Sequence, residues 1–432
     1  MKKVLIITYY WVPSGGAGVQ RWVKTVKYLP QFGWQPIVYT PENPEYPSID
    51  HSFERDLPEN LQVIKTKIWE PYNIYRSLFG KKGEPINAGF ISENKKSGFK
   101  ERLSIWIRGN FFIPDPRRFW IKPSVKFLSN YLKTNKIDAV ITTGPPHSMH
   151  LIGLGLKKNF PDLTWIADFR DPWTNFFLYK DLHLFSITDH IHHQLEQKIV
   201  QNCDCFVTVS ENLAKSFLSL NPKRIELIYN GFDEYDYPNK FIALDKKFVI
   251  THIGTLDKAR NSSIFWSVLA EICSENQHFS KDLEIILIGK IDFSIIQEIE
   301  NMKLKEKLKK IEYLSHFEAI EQQRKSHILL LLLIDNTSSA KGIITGKFYE
   351  YLAARRPIFV IGPTDGDVAA ILHKTKAGKI ADFNDFQTIK NIILEFYNQF
   401  KNNTLQIHSE NITQYSRRNL TQKYAELLND LI

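Results

Sequence analysis

The stretch GIITGKFYEYLAARRPIFVIG, residues 342–362, sets a glycine loop, a lysine and a lone carboxylate at the start of one predicted helix. Gly342 and Gly346 open the loop, Thr345 stands where an N-cap belongs, and the helix is expected over 346–355, ahead of Pro357. Free N–H groups near Thr345 and Gly346 suit a phosphate. Glu350 then lies one turn in, on the side facing the loop, where a carboxylate can accept both hydroxyls of a ribose carried by that phosphate. Cradle and carboxylate together suit one ligand, a nucleoside diphosphate. Taken alone, Glu350 reads as a solvated helical residue.

Other candidate groups sit at predicted strand ends. After the first strand comes PSGGAGVQRWV, where Gly15, Gly16 and Gly18 would let backbone approach a ligand at a helix start. A dinucleotide fingerprint needs a third glycine where Arg21 stands, and the second strand ends in Thr40 rather than an acid, which argues against a nicotinamide cofactor. In TTGPPHS, two prolines fix a loop that places His147 just ahead of a helix beginning near Ser148, a position for a substrate-orienting or proton-handling ring; a surface or capping histidine is the alternative, and His150 reads as structural. In IADFRDPW, the Asp168, Arg170 and Asp171 group can bind hydroxyls or lock its loop by ion pairs. In THIGTLDKARNSS, Lys258 and Arg260 follow Gly254 and could clamp a diphosphate. No metal-ligand spacing occurs.

The elements that must position these groups alternate short apolar runs with longer amphipathic segments. The runs fall at 4–11, 36–40, 61–66, 138–144, 163–169, 205–210 and 225–231, and the rhythm restarts at 248–254, 283–289, 310–315, 328–334, 357–362 and 378–383. Continuous apolar strands separated by helices indicate parallel sheets covered on both faces. Two doubly wound domains follow: an N-terminal one over 1–235, with an irregular basic and aromatic insert at 67–126, and a C-terminal one over 246–405. The segment 232–246 reads as a linker. A C-terminal helix is expected over 406–432, its pattern running from about 409 to 431, long enough to pack back on either half, the N-terminal one included. Two such sheets facing each other would gather their carboxyl ends around one cleft, where ligands of open α/β sheets bind.

With 432 residues the chain exceeds one ordinary core. Cys203, Cys205 and Cys273 form no disulfide framework, the first two being expected on one strand with side chains on opposite faces, so a reducing, cytoplasmic setting fits. The start MKKVLIITYYWVP reads as a buried strand rather than a signal peptide, and the run ILLLLLI is far shorter than the roughly 20 residues a membrane span needs. The net charge of +9 is unevenly placed: from Lys95 to Lys126 cations outnumber acids and alternate with Trp106, Phe111, Phe112, Phe119 and Trp120. Such a segment suits anionic lipid headgroups at a membrane face, against the alternative of a solvated surface over core aromatics; no nucleic-acid-binding pattern accompanies it.

The pieces YYWVPSGGAGVQR, TTGPPHS, ADFRDPW, TVSENL, YNGFDEYD, HIGTLDKAR and GKFYEYLAARRP, in this order and across most of the chain, resemble the retaining GT-B glycosyltransferases of family 4. The resemblance implies two Rossmann-like domains facing across a cleft and transfer of a sugar from a nucleotide donor with retained configuration, without a metal or other cofactor. It implies that Glu350 holds the donor ribose and that Arg260, with Lys347 or Lys258, holds the diphosphate. Thr345 and Gly346 belong to the same cradle, and Gly16 with Gly18 would bring backbone amides to the phosphate. Ser315 and His316 would frame a uracil or guanine base. His147 would meet the transferred sugar or its leaving phosphate, and Asp171 joins it as the second catalytic candidate. Many relatives carry two glutamates eight positions apart; here the first is replaced by Gly342, beside Lys341, so donor-sugar recognition does not carry over.

The expected function is therefore sugar transfer from UDP- or GDP-sugar to a glycan or lipid-linked acceptor in surface polysaccharide or glycolipid synthesis, at the inner membrane face. A GT-B-type nucleotide-sugar epimerase and a non-catalytic nucleotide-sugar or lipid-binding protein are the alternatives.

Overall fold

The computed structural model describes residues 1–71, 99–176, 179–237, 242–334 and 340–432. The chain forms two compact units: unit 1 is Met1–Asn230 with Arg417–Ile432, and unit 2 is Gly231–Ser416.

Unit 1 is built on seven parallel strands, β1 (Lys2–Ile7), β2 (Trp34–Pro41), β3 (Gln62–Thr66), β4 (Ala139–Gly144), β5 (Thr164–Phe169), β6 (Cys205–Thr208) and β7 (Ile225–Leu227), in the order β3-β2-β1-β4-β5-β6-β7. Val4 pairs with Pro36 on one side and Ala139 on the other. Side chains alternate between two cores: Leu5, Ile7 and Val140 enter one, Val4, Ile6 and Ile141 the other. Burial on both faces is why these strands read as unbroken apolar runs. Strand order reverses between β1 and β4, so the Gly15–Gly18 loop and the Gly144–His147 loop leave neighbouring strand ends.

The helix Arg417–Leu431 closes unit 1. Its Leu420, Tyr424, Leu427 and Leu428 pack with Val19, Trp22, Val23 and Val26 of the helix Ala17–Tyr28. A buried polar knot fixes the contact. Arg21 ion-pairs with Asp168 at 2.9 Å and donates to Tyr424 Oη at 2.8 Å, while Asp168 also accepts from Tyr424 (2.8 Å), Trp22 Nε1 (3.1 Å) and Thr143 Oγ1 (2.9 Å).

Unit 2 repeats the plan with β8 (Phe248–Ile253), β9 (Leu283–Ile288), β10 (Leu308–Ile311), β11 (Ile328–Leu332), β12 (Ile358–Ile361) and β13 (Gly378–Ala381), all parallel in the order β10-β9-β8-β11-β12-β13. Its switch lies between β8 and β11. All thirteen apolar runs thus become strands of two Rossmann-like sheets.

Several local expectations are corrected. The insert is partly helical, with helices Phe99–Phe111 and Arg118–Thr134 around Pro114 and Pro116. The second buries Trp120, Ser124 and Leu128, and a serine in that stripe, with Pro123 inside the helix, hides the helical period. The terminal helix starts at Arg417, after a short 3-10 turn at Ile412–Tyr415. Strand β10 begins at Leu308, earlier than the run at 310–315 suggested. Cys203 closes the helix Ser186–Asn202 and only Cys205 lies on a strand; both are free and buried. Part of the expected linker belongs to unit 2, where Phe232 bridges Ser416. Lys95, Lys96 and the rest of 72–98 lie outside the described residues. No helix among the described residues is long and apolar enough to cross a membrane.

Candidate active site

In unit 2 the helix Gly346–Ala354 begins as its glycine and threonine suggest and ends at Arg355, whose left-handed backbone closes the last turn before Pro357. Thr345 occupies the N-cap, but its hydroxyl makes no capping bond, and Oγ1 is buried without a partner among the described residues. The first turn also lacks an acidic residue. The helix therefore offers its first amides, its positive dipole end and a spare hydroxyl to an anion.

Two tyrosines set the helix in place. Tyr351 Oη accepts the Ile253 N–H at 3.0 Å, tying the helix to the end of β8. Tyr237 Oη donates to the Glu350 carbonyl at 3.1 Å and to Gln323 Oε1 at 3.3 Å, joining it to the helix His316–Lys325. This brings Lys347 over the strand end. Gly254 has φ +115, a conformation that favours glycine, and a Cβ there would stand 2.6 Å from Lys347 Nζ. Backbone and ammonium are thus close at the carboxyl edge of β8.

Lys347 is half-buried, and burial, reinforced by the Arg260 charge, lowers its ammonium to about 8 against the opposing pull of Glu350 and Asp257. Arg260 lies in the short turn Lys258–Arg260, where Asp257 accepts its backbone N–H at 3.1 Å and pairs with its guanidinium. Lys258 is exposed on the same turn. Glu350 is half-buried; its carboxylate makes no hydrogen bond or ion pair among the described residues, yet lies near enough to Lys347 to raise that lysine's proton affinity. Unit 2 thus joins Gly254, Arg260, Lys347, Glu350, Thr345 and Gly346 in one neighbourhood: three cations with Lys258, a helix N-terminus and a free carboxylate. Such a set can hold a diphosphate with a hydroxylated sugar beside it.

Ser315 caps the helix His316–Lys325 through a capping box with Glu318. His316 Nε2 lies 3.3 Å from Asp236 Oδ2, so that ring is already held. Lys341, beside the position of the absent glutamate, pairs with Asp365 at the surface.

In unit 1, Gly16 precedes the helix Ala17–Tyr28 at φ 109, with no side-chain cap and no acid in the first turn. A side chain at Gly18 would overlap the Arg170 guanidinium, which donates from Nε to Thr143 Oγ1 (3.1 Å) and from Nη2 to the Pro145 carbonyl (2.7 Å). A second place where a helix end and a cation meet results. Asp168 takes the locking role among the two it could have had, through Arg21; Asp171 is exposed, with no hydrogen bond among the described residues.

His147 ends the Gly-Pro-Pro loop and is the N-cap residue of the helix Ser148–Asn159. Its ring stacks on Trp173, with centroids 4.9 Å apart and planes 5° from parallel. Burial first, then proximity to His150, Arg170 and His192, holds it well below the ordinary histidine range, so the imidazole is neutral. His150, read as structural, is buried, bonded to Thr142 Oγ1 at 2.9 Å and stacked on Phe169.

Sequence reasoning missed the groups around His147. Asp115 accepts the Ser148 N–H and hydroxyl, each at 2.9 Å, supplying the cap that His147 does not. Trp173 was visible only as the end of ADFRDPW, and His192 and Glu196 only as members of a helical pattern; their meeting depends on how the helix Ser186–Asn202 packs.

The profile of Glycosyltransferase Family 4 matches residues 90–235, about a third of the chain. No curated protein matches in sequence. Solved structures match in fold along the whole chain. The Anabaena protein HepE in complex with UDP-glucose is 14% identical with a TM-score of 0.60, all of both chains being covered. A mutant of S. aureus TarM, in complex with fondaparinux, α-GlcNAc-glycerol and UDP, is 12% identical with a TM-score of 0.58, covering 99% of this chain and 100% of that one. A putative UDP-N-acetylglucosamine 2-epimerase from Listeria monocytogenes is 11% identical with a TM-score of 0.57, covering 100% of this chain and 96% of its own. The fold is that of the GT-B proteins.

Proposed function

We propose that the chain is a retaining glycosyltransferase that moves a sugar from a nucleoside-diphosphate sugar to a glycan or lipid-linked acceptor. The observation that carries this reading is that Lys347 Nζ occupies the space a side chain at Gly254 would need, at a helix start where Glu350 has no hydrogen-bond or ion-pair partner among the described residues. In this reading Lys347, Arg260 and Lys258 hold the diphosphate, with the amides and hydroxyl at Thr345 and Gly346. Glu350 receives the ribose hydroxyls, and the backbone at Ser315 and His316 lies beside the base. In unit 1, Gly16 and Gly18 contribute backbone, His147 addresses the transferred sugar, and Asp171 stands beside Arg170.

Sugar transfer passes through an oxocarbenium-like state while negative charge grows on the departing diphosphate. Cations and a helix N-terminus aimed at that charge lower the barrier. The chain's own cations supply that stabilisation in the proposed reaction, which proceeds without a metal ion. On the face that the leaving phosphate vacates, its oxygen takes the acceptor proton as the new glycosidic bond forms, which preserves configuration.

An exposed aromatic and basic surface on unit 1 supports a membrane-borne acceptor and a peripheral position on the inner face of the membrane. Trp69, Phe111, Phe119, Phe185 and Ile187 are exposed. The aromatic ones belong to two ring clusters, Trp69–Phe119–Phe112 and Phe111–Trp106–Phe185, with neighbouring centroids 4.7–6.2 Å apart. Arg118, Lys122 and Lys126 are exposed on the adjoining helix. Apolar side chains edged by cations suit an anionic bilayer.

The matching epimerase fold favours a second reading, conversion of a nucleotide sugar without an acceptor. Incubation with panels of UDP- and GDP-sugars, with and without chelator, separates the two. Acceptor-dependent release of free nucleotide, with the anomeric configuration kept, supports transfer; an epimeric nucleotide sugar formed without acceptor overturns it.

A further inference from the structure

We infer that Trp173 is a positioning residue for His147, an indole platform fixed from behind by His192 and Glu196 that aims the imidazole. The inference rests on the proposed role of His147 toward the transferred sugar. Beyond the near-parallel stack already described, Trp173 is itself immobilised. Its Nε1–H donates to His192 Nδ1 at 2.9 Å. Its backbone N–H and that of Thr174 donate to Glu196 Oε1 at 3.2 and 3.3 Å, and the Thr174 hydroxyl donates to Oε2. His192 and Glu196 stand one turn apart on the helix Ser186–Asn202, both buried. A buried carboxylate devoted to two loop amides and a hydroxyl is costly to desolvate; here it fixes the backbone carrying one ring.

The backbone next to His147 is fixed as well, because Asp115 holds both the amide and the hydroxyl of Ser148. The ring's Nδ1 is buried without a partner among the described residues. An unpaired lone pair is tolerated there better than an unpaired N–H, so the proton of the neutral ring belongs on Nε2. Platform and cap together make His147 a neutral hydrogen-bond donor of fixed direction. His150 and Arg170, and His192 behind the indole, lie near enough to disfavour its protonation.

The test compares Trp173→Leu, Trp173→Phe and His147→Ala in the full chain. It reads kcat, donor KM and the 15N signals of His147 across pH. Trp173→Leu is expected to lower kcat by about tenfold to a hundredfold. Donor KM should stay within about twofold, because the residues proposed to hold the diphosphate and the ribose, Lys347, Arg260, Lys258 and Glu350, belong to unit 2. The His147 titration should move up toward the ordinary histidine range. Trp173→Phe, which keeps a ring but loses the bond to His192, should retain most of kcat with a smaller change in the His147 signals. Wild-type kcat and unmoved His147 signals in Trp173→Leu, with His147→Ala inactive, overturn the inference. A fully active His147→Ala instead overturns the role given to His147, and the NMR titration still judges the platform. If Trp173→Leu does not fold, unchanged His147 signals in Trp173→Phe overturn it.

Discussion

Arg21 and Asp168 meet at 2.9 Å with side chains 1% and 0% exposed, and Tyr424 of the C-terminal helix bonds to both. Removing one partner strands the other charge in the core. Asp168→Ala is therefore expected to destabilise unit 1 by about 3–5 kcal/mol. Tyr424→Phe, which removes hydrogen bonds but no charge, should cost about 1–3 kcal/mol. Denaturant melts of the two variants check the ranking; an Asp168→Ala protein as stable as the wild type contradicts it.

Lys347 gives the proposed donor site a pH dependence. Burial and Arg260 depress its ammonium to about 8, so the ligand-binding charge is present below that value and lost as pH rises through it. Nucleoside-diphosphate affinity should fall by about tenfold between pH 7 and 9, following the charged fraction. In Lys347→Met affinity should be weaker at pH 7 and flat over the same interval. Calorimetric titrations at several pH values check this, and an equal slope in both proteins contradicts it.

Much of this was legible in the sequence because burial on both sheet faces writes each strand as an apolar run. The helix start at Gly346 was legible for a similar reason, since glycine before and proline after leave few other readings. Less could be seen where function depends on packing between distant segments. Arg21 looked like a defect in a glycine fingerprint and is a buried anchor. Asp115 lay between two prolines in a stretch that read as irregular, yet it caps the helix after His147. Trp173, His192 and Glu196 carry no spacing signal, because the indole and its acceptor stand 19 positions apart along the chain.

The exposed rings of unit 1 predict binding to anionic vesicles at low salt, weakening as salt screens the neighbouring cations. The double variant Phe111→Ser with Phe185→Ser should lose most of that binding in a sedimentation assay. Stability should change by less than about 1 kcal/mol, since both rings are largely exposed. Vesicle binding equal to the wild type contradicts the membrane assignment.

The most direct test of the donor site is calorimetric titration with UDP and with GDP, without metal, of the wild type and of Glu350→Ala. The account predicts that one nucleotide binds the wild type and that Glu350→Ala weakens it by at least about tenfold, the loss of a charged hydrogen-bond acceptor. Binding of neither nucleotide, or equal affinity in the variant, would contradict it.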